Sequence, residues 1–231
     1  MVSRGMDRPL PGVNLTWRQL GGLTGIIGVV LFVIGVLMQI DAPTLDDSAT
    51  EASAWFKENA NQYLTGDLLI SIGIVVFLIP FFVALKDLLA QAEGPAGSWS
   101  WVNLVGALVF ILVGAASSMF YGALAVAPDD ITDAGVVKAL QAGNFYGFGG
   151  IGLALVPFFL GASLVILRTR VSWAWLGWAG LALALVSLLS AGAPLAGPGG
   201  FFDVMGMISS TGLGVWILVM GGAMLMKGAS T

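Results

Sequence analysis

The chain has 231 residues, 58% of them apolar and 10% charged, with 33 glycines and a net charge of −4. Soluble domains carry about 25% charged residues, so this chain lacks the charge to cover a water-facing surface. It contains no cysteine and no histidine, which removes disulfides, thiolate metal sites, cysteine nucleophiles, imidazole ligation of haem or zinc and the commonest general base.

Residues 1–19 form a tail carrying Arg4, Arg8 and Arg18. Residues 20–40 then run without a charge. At about 1.5 Å per residue they cross a hydrocarbon core of about 30 Å. A cleavable signal has a shorter apolar core of about 7–15 residues and a small-residue cleavage site. The Asp41-Ala42-Pro43 that follows is a poor cleavage site, so the segment reads as a retained span.

Five further spans are expected at about 68–85, 99–126, 143–167, 173–191 and 204–226. In the polar stretch 41–62, Ser48 and Glu51 have capping-box spacing. Behind them Ala52, Trp55, Phe56, Ala60 and Tyr63 share one helical face, which predicts a short amphipathic helix at the membrane interface. Residues 132–142 predict a second one, with Ile131, Val136, Val137 and Leu140 on one side. Pro80 and Pro157 stand inside spans 2 and 4, where a missing amide predicts a kink. Between spans 5 and 6 lies a breaker run at 193–200.

Six crossings place the connections alternately on two sides. The side with both termini holds seven basic residues (Arg4, Arg8, Arg18, Lys86, Arg168, Arg170, Lys227) against Asp7, Asp87 and Glu93, a net of +4. The other side holds Lys57 and Lys138 against the remaining ten acids, a net of −8. Excess Lys and Arg mark the cytoplasmic side, and Trp17, Trp99, Trp101, Trp173 and Trp175 open spans on that same side, where indoles favour the interface. Both termini are expected in the cytoplasm, in a multi-pass protein of the cell membrane.

The odd spans open alike: Trp17 to Gly22, Trp101 to Gly106 and Trp175 to Gly180 all fit W-x-x-x-x-G. Among the even spans, Gly73 precedes Pro80 by seven residues and Gly150 precedes Pro157 by seven, each proline followed by two phenylalanines. Thirteen residues before these prolines stand Asp67 and Asn144. Gly214 and Gly221 repeat the spacing in the last span, without a proline. The pattern predicts three helical hairpins in parallel repeat, at about 17–90, 99–170 and 173–227. It lacks the inverted symmetry of many secondary transporters.

Ionisable residues inside a membrane mark ion paths and proton relays because they are expensive there. Here they fall only at span ends. The polar groups within spans are mild, with Asn103, Ser117, Ser118 and Asn144 foremost, and read first as helix–helix hydrogen bonding. Asp67, Asn103 and Asn144 are the candidates for a polar lining. Pro80, Phe81, Phe82, Pro157, Phe158 and Phe159 sit at matching depth and are candidates for the wall of an apolar pocket suited to a lipid or quinone. The acids Asp46, Asp47, Glu51, Asp129, Asp130 and Asp133 offer oxygen ligands for a divalent cation, but without EF-hand spacing they read as loop residues and helix N-terminal carboxylates, and no metal or cofactor is expected. No hydroxyl has a base to activate it, and no phosphate-binding glycine pattern follows a strand. Three scattered arginines give no footprint for nucleic acid.

The run from Pro43 through Ala54-Trp55-Phe56 to Leu64-Thr65-Gly66, the opening of span 5 at 173–180, and Gly212 to Trp216 in span 6 resemble a loose group of six-span bacterial membrane proteins common in actinobacteria. The group has no assigned activity, so the resemblance implies a fold and a bacterial plasma-membrane setting and transfers no functional residue.

The expectation is therefore an all-α bundle of six transmembrane helices, built as three hairpins with two short amphipathic helices in the outer loops. Its function is expected to be non-catalytic: an interaction or accessory subunit, or a binder of a lipid-like apolar ligand. The alternative is a small-solute channel or facilitator, and a membrane enzyme ranks last. Membrane lipids, and other membrane proteins or a second copy, are its expected partners.

Overall fold

Two helix starts are written into the chain as reciprocal caps. The Thr16 hydroxyl accepts from the Gln19 amide while the Gln19 side chain accepts from the Thr16 amide, and Ser48 and Glu51 do the same. Such boxes satisfy amides that an incipient helix leaves without partners. The computed structural model describes residues 15–95, 97–192 and 200–227, and these form six helices and their connections. They are α1 (Trp17–Met38), α2 (Ala49–Glu93), α3 (Trp99–Val126), α4 (Ala134–Thr169), α5 (Ala174–Ser190) and α6 (Phe201–Lys227). Five of them, all but α5, are long and apolar enough to cross a membrane, which marks an all-α, multi-pass membrane protein. Arg4, Arg8 and the breaker run at 193–199 lie outside the described residues.

The two amphipathic loop helices are not separate elements. The segment behind Ser48 is the start of the 45-residue α2, and the segment at 134–142 is the start of the 36-residue α4. The reason is an absence of breakers. No proline lies between Ala49 and Pro80, and polar residues such as Lys57 and Asn61 are compatible with a helix that stays in water. At about 1.5 Å per residue α2 is about 68 Å long and α4 about 54 Å. Both exceed the hydrocarbon thickness of about 30 Å and project beyond it at the acidic end.

The two prolines are absorbed differently. Just before Pro80 the helix widens into a six-residue π segment (Gly73–Leu78), with the Ile79 amide reaching back to Ile74. Widening of this kind accommodates an amide lost from the ladder. Pro157 sits within regular α-helix.

Each helix packs beside the next in the chain, and α6 closes back onto α1. The contacts are antiparallel. Gly28 of α1 meets Gly73 of α2, and seven residues on, Gly35 meets Gly66. A Cβ on Gly35 would stand 2.5 Å from the Gly66 carbonyl oxygen, and one on Gly66 would stand 2.8 Å from that of Gly35. On the other flank of α1, a Cβ on Gly22 would lie 2.6 Å from the Gly221 oxygen of α6. Small residues let backbones approach where lipid supplies no hydrophobic squeeze. As a result Trp17, Lys86, Trp99, Trp101, Arg168 and Trp175 share one end of the bundle. Met38, the start of α2, Asp133 and Asp203 share the other.

Filling the Gly35·Gly66 contact should be costly. Gly35→Ala and Gly66→Ala should each destabilise the protein by about 1–3 kcal/mol. Gly222→Ala, where a Cβ would meet nothing within 4 Å, should be neutral or stabilising by up to about 1 kcal/mol. Thermal unfolding in a mild detergent reads the contrast.

Candidate functional site

The structure brings the six residues of the expected pocket wall together. Phe81, Phe82, Phe158 and Phe159 are each at most 1% exposed. The ring centroids of Phe82 and Phe158 are 5.5 Å apart, edge to face, and Trp216 of α6 stands 5.6 Å from Phe158 and 6.1 Å from Phe159. Edge-to-face pairs at such separations are favourable beyond the area they bury. The rings pack on one another rather than around an open space, so α2, α4 and α6 meet in an aromatic plug. Pro80 and Pro157 lie half-buried beside it.

The three polar residues do not line one surface. Asn103 is fully buried on the α3–α4 seam and donates its side-chain amide to the Phe158 carbonyl at 2.8 Å. Asn144 donates to the Ser117 carbonyl at 3.0 Å on the same seam. Residues 103 and 117 are fourteen positions apart on α3, about 21 Å along the axis. Asp67 is half-buried on α2, next to the Gly35·Gly66 contact. The two amides act as helix–helix hydrogen bonds.

The open space lies on another wall, between α5 and α6. It is an apolar groove of about 880 Å³, floored by Ala179, Ala182 and Val186 of α5 and by Ile208, Gly212 and Val215 of α6. Thr211 supplies its hydroxyl; Trp175 bounds the basic end and Val204 the acidic end. Two hydrogen bonds hold these helices together. The Trp216 indole donates to the Leu176 carbonyl at 3.1 Å, and the hydroxyls of Ser187 and Ser209 are 2.6 Å apart. Both pins are buried, on the side facing the bundle. On the outer side Ala179, Ala182 and Gly212 stand among larger apolar side chains, and Gly212 faces the Leu183 side chain, which leaves the trough. Periodicity could not reveal it, because it depends on which faces of α5 and α6 meet. The signal available was the small residues Ala179, Ala182 and Gly212 among larger apolar ones.

At the acidic end α2, α3 and α4 build a second hydrophobic cluster. Phe56, Tyr63 and Tyr121 pack edge to face, with Phe56 5.4 Å from each tyrosine. The connection at 39–48 is strapped across it. Tyr121 donates its hydroxyl to the Pro43 carbonyl at 2.6 Å, Gln141 donates to the Thr44 carbonyl at 2.8 Å, and Lys138 donates to the carbonyls of Leu45 and Asp47. Reading by sequence missed this clasp; Lys138 stood out only as one of two cations among ten acids.

Four of the six acids considered for a cation are engaged locally. The amide and hydroxyl of Thr44 both donate to Asp47 and hold its carboxyl below the usual range. The Ser48 hydroxyl and amide do the same for Glu51. Asp133 caps α4 through the Val136 amide, and Asp129 forms an exposed ion pair with Lys57 at 3.0 Å. Among the described residues no three acidic side chains gather as a metal site requires.

No protein-family model matches the chain, and no curated protein or solved structure is significantly similar to it.

Two measurements test the clasp. Lys138→Met would leave the Leu45 carbonyl without its donor and the Asp47 carbonyl with only a long bond from Gln141 at 3.4 Å, a loss of about 1–3 kcal/mol, and should open the 39–48 strap to proteolysis at neutral pH. The Asp47 and Glu51 carboxyls have folded values below their unfolded ones. Their contribution is therefore present above the ordinary carboxylate range of about 4 and is lost as pH falls through the lowered values. Proteolytic resistance of the strap should hold from neutral pH down to about 4 and weaken below it, the donors Tyr121, Lys138 and Gln141 remaining in place, with Asp47→Asn weakening it already at neutral pH.

Proposed function

We propose that the protein is a non-catalytic, six-span membrane protein that binds a lipid-like apolar ligand in the groove between α5 and α6. The observation that carries this reading is the groove itself: open to the lipid side, almost wholly apolar, and of a volume within the range of about 300–1,000 Å³ typical of small-molecule sites. It sits on a bundle whose middle is filled by the Phe82–Phe158–Trp216 cluster. That filling, and the separation of Asn103 from Asn144, weigh against the alternative of a small-solute channel. The absence of histidine and cysteine from the chain weighs against an enzyme.

The topology belongs to the same reading. The 17-residue α5 is about 26 Å long and runs antiparallel to α4, with Gly180 against Ser163 and Gly152 against Ser187. It counts as the sixth crossing. The glycines ending the three W-x-x-x-x-G openings each sit at a helix contact: Gly22 on Gly221, Gly106 on Phe158 and Gly180 on Ser163. That supports three hairpins in parallel repeat. The basic, Trp-rich end is then cytoplasmic and carries both termini, in a bacterial plasma membrane.

Ala182 is an exposed groove residue, so Ala182→Trp should fill the trough without disturbing the core. Native mass spectrometry after gentle detergent extraction should show lipid adducts on the wild type and their loss on Ala182→Trp. Unchanged adducts, or solute flux through proteoliposomes, would overturn the reading.

A further inference from the structure

We propose that the groove's ligand is an anionic phospholipid, with an acyl chain along α5 and α6 and its phosphate at the turn between α4 and α5. This rests on the groove reading above and adds the headgroup and its seat.

The two ends of the groove carry opposite charge. At the Trp175 end, Arg170 stands five residues before that indole, and α6 finishes at Lys227. At the Val204 end the neighbouring residue is Asp203. An acyl chain fits the trough in either direction, but an anionic headgroup is attracted to one mouth and repelled from the other. The chain turns sharply at the favoured mouth: Arg170 adopts a left-handed backbone (φ 57°) as its amide closes α4 onto the Ile166 carbonyl, and its side chain is exposed.

The groups around this turn suit a phosphate and glycerol layer. Trp173 precedes α5 and offers no side-chain cap, so the positive end of the α5 dipole faces the mouth without a carboxylate or hydroxyl to neutralise it. Ser172, one residue earlier, is only 6% exposed, and its hydroxyl makes no hydrogen bond within the protein. That oxygen is closed off from the surface, so the seat rests on Arg170, the α5 N-terminus and the two indoles. The indoles of Trp173 and Trp175 stack 6.2 Å apart with planes 13° off parallel, and both are exposed. Indoles favour the headgroup level of a bilayer. Arg168 lines a separate small cavity with Glu93 and Thr169 on the α3 side. It strengthens the field at this end, while Arg170 makes the contact.

The test uses the full-length protein in mild detergent and native mass spectrometry with phosphatidylglycerol, phosphatidylcholine and a cationic trimethylammonium lipid of the same acyl chains. Wild type should prefer phosphatidylglycerol. Arg170→Gln should lower phosphatidylglycerol affinity about five-fold, the effect of one basic residue near an anionic group, and phosphatidylcholine affinity less, because the choline cation offsets the same phosphate, so that the ratio of the two falls. Arg168→Gln should lower it less. Excess inorganic phosphate should not displace phosphatidylglycerol. Ala182→Trp, or Val215→Trp if the first variant elutes abnormally, should lose all three lipids together. An unaltered ratio in Arg170→Gln, a preference for the cationic lipid, or displacement by inorganic phosphate overturns the headgroup assignment and leaves the groove reading standing. Full lipid binding by the groove-filled variants, or a lipid-free dimer occupying the groove, overturns both.

Discussion

The bundle depends on backbones meeting at glycine. In lipid there is no water to expel from between two apolar helices, so association comes from close packing and hydrogen bonds. Dispersion falls off quickly with a gap of even an ångström. α1 meets this constraint on two flanks, with Gly28 and Gly35 against Gly73 and Gly66 of α2, and Gly22 against Gly221 of α6. Its glycines are thus spent inside the chain rather than displayed to a partner. The α3–α4 seam follows the same rule, since a Cβ on Gly106 would lie 2.4 Å from the Phe158 amide nitrogen. The α5–α6 wall does not. There Gly212 faces the side chain of Leu183 rather than backbone, and the helices are tied by an indole and a serine pair. The groove lies where the glycine rule lapses.

A second consequence concerns water. Helices that outrun the hydrocarbon need another way to hold their ends together. At the acidic end the solution is a miniature soluble core. Phe56, Tyr63 and Tyr121 are buried among helices, with Lys57 and Glu58 on the outer face of α2 and Asp129 in the turn after α3. The connection at 39–48 is irregular, so its carbonyls need donors. Tyr121, Lys138 and Gln141 supply them from two other helices. Charged side chains sit at or beyond the span ends, where each can still find water or a carbonyl.

Much of this was legible in the residues. The Ser48–Glu51 box was read correctly, as was helical character for every expected span, because caps and long apolar runs are local signals. The joining of loop helices to spans was misread at Gln62–Leu68, where a change from polar to apolar composition looked like a boundary. Composition reports the solvent around a helix, not whether the helix ends. Pro80 and Pro157 looked equivalent by spacing, yet only the first sits behind a π segment, a difference that spacing cannot show. Phe82 and Phe158 meet ring to ring at 5.5 Å. Whether four rings enclose a cavity or fill it is decided by a fifth ring, Trp216, arriving from a helix more than fifty residues further on.

The distribution of polarity bears on how such a molecule can work. A solute crossing the bundle would need donors and acceptors at short intervals, since each unsatisfied polar group in hydrocarbon costs several kcal/mol. Here the amide nitrogens of both asparagines are already committed to carbonyls of neighbouring helices, and the seam between them is apolar, with Ile151 beside Gly114 and Val113 beside Gly150. A ligand entering sideways faces no such demand. It leaves one apolar medium for another, so little binding energy comes from desolvation, and what discriminates among lipids is shape along the trough and charge at its mouth. The cationic turn before α5 and the acidic start of α6 supply a polarity that the trough itself lacks. On this reading the bundle's charge asymmetry does two tasks: it orients the chain in the bilayer and it orients the ligand in the groove.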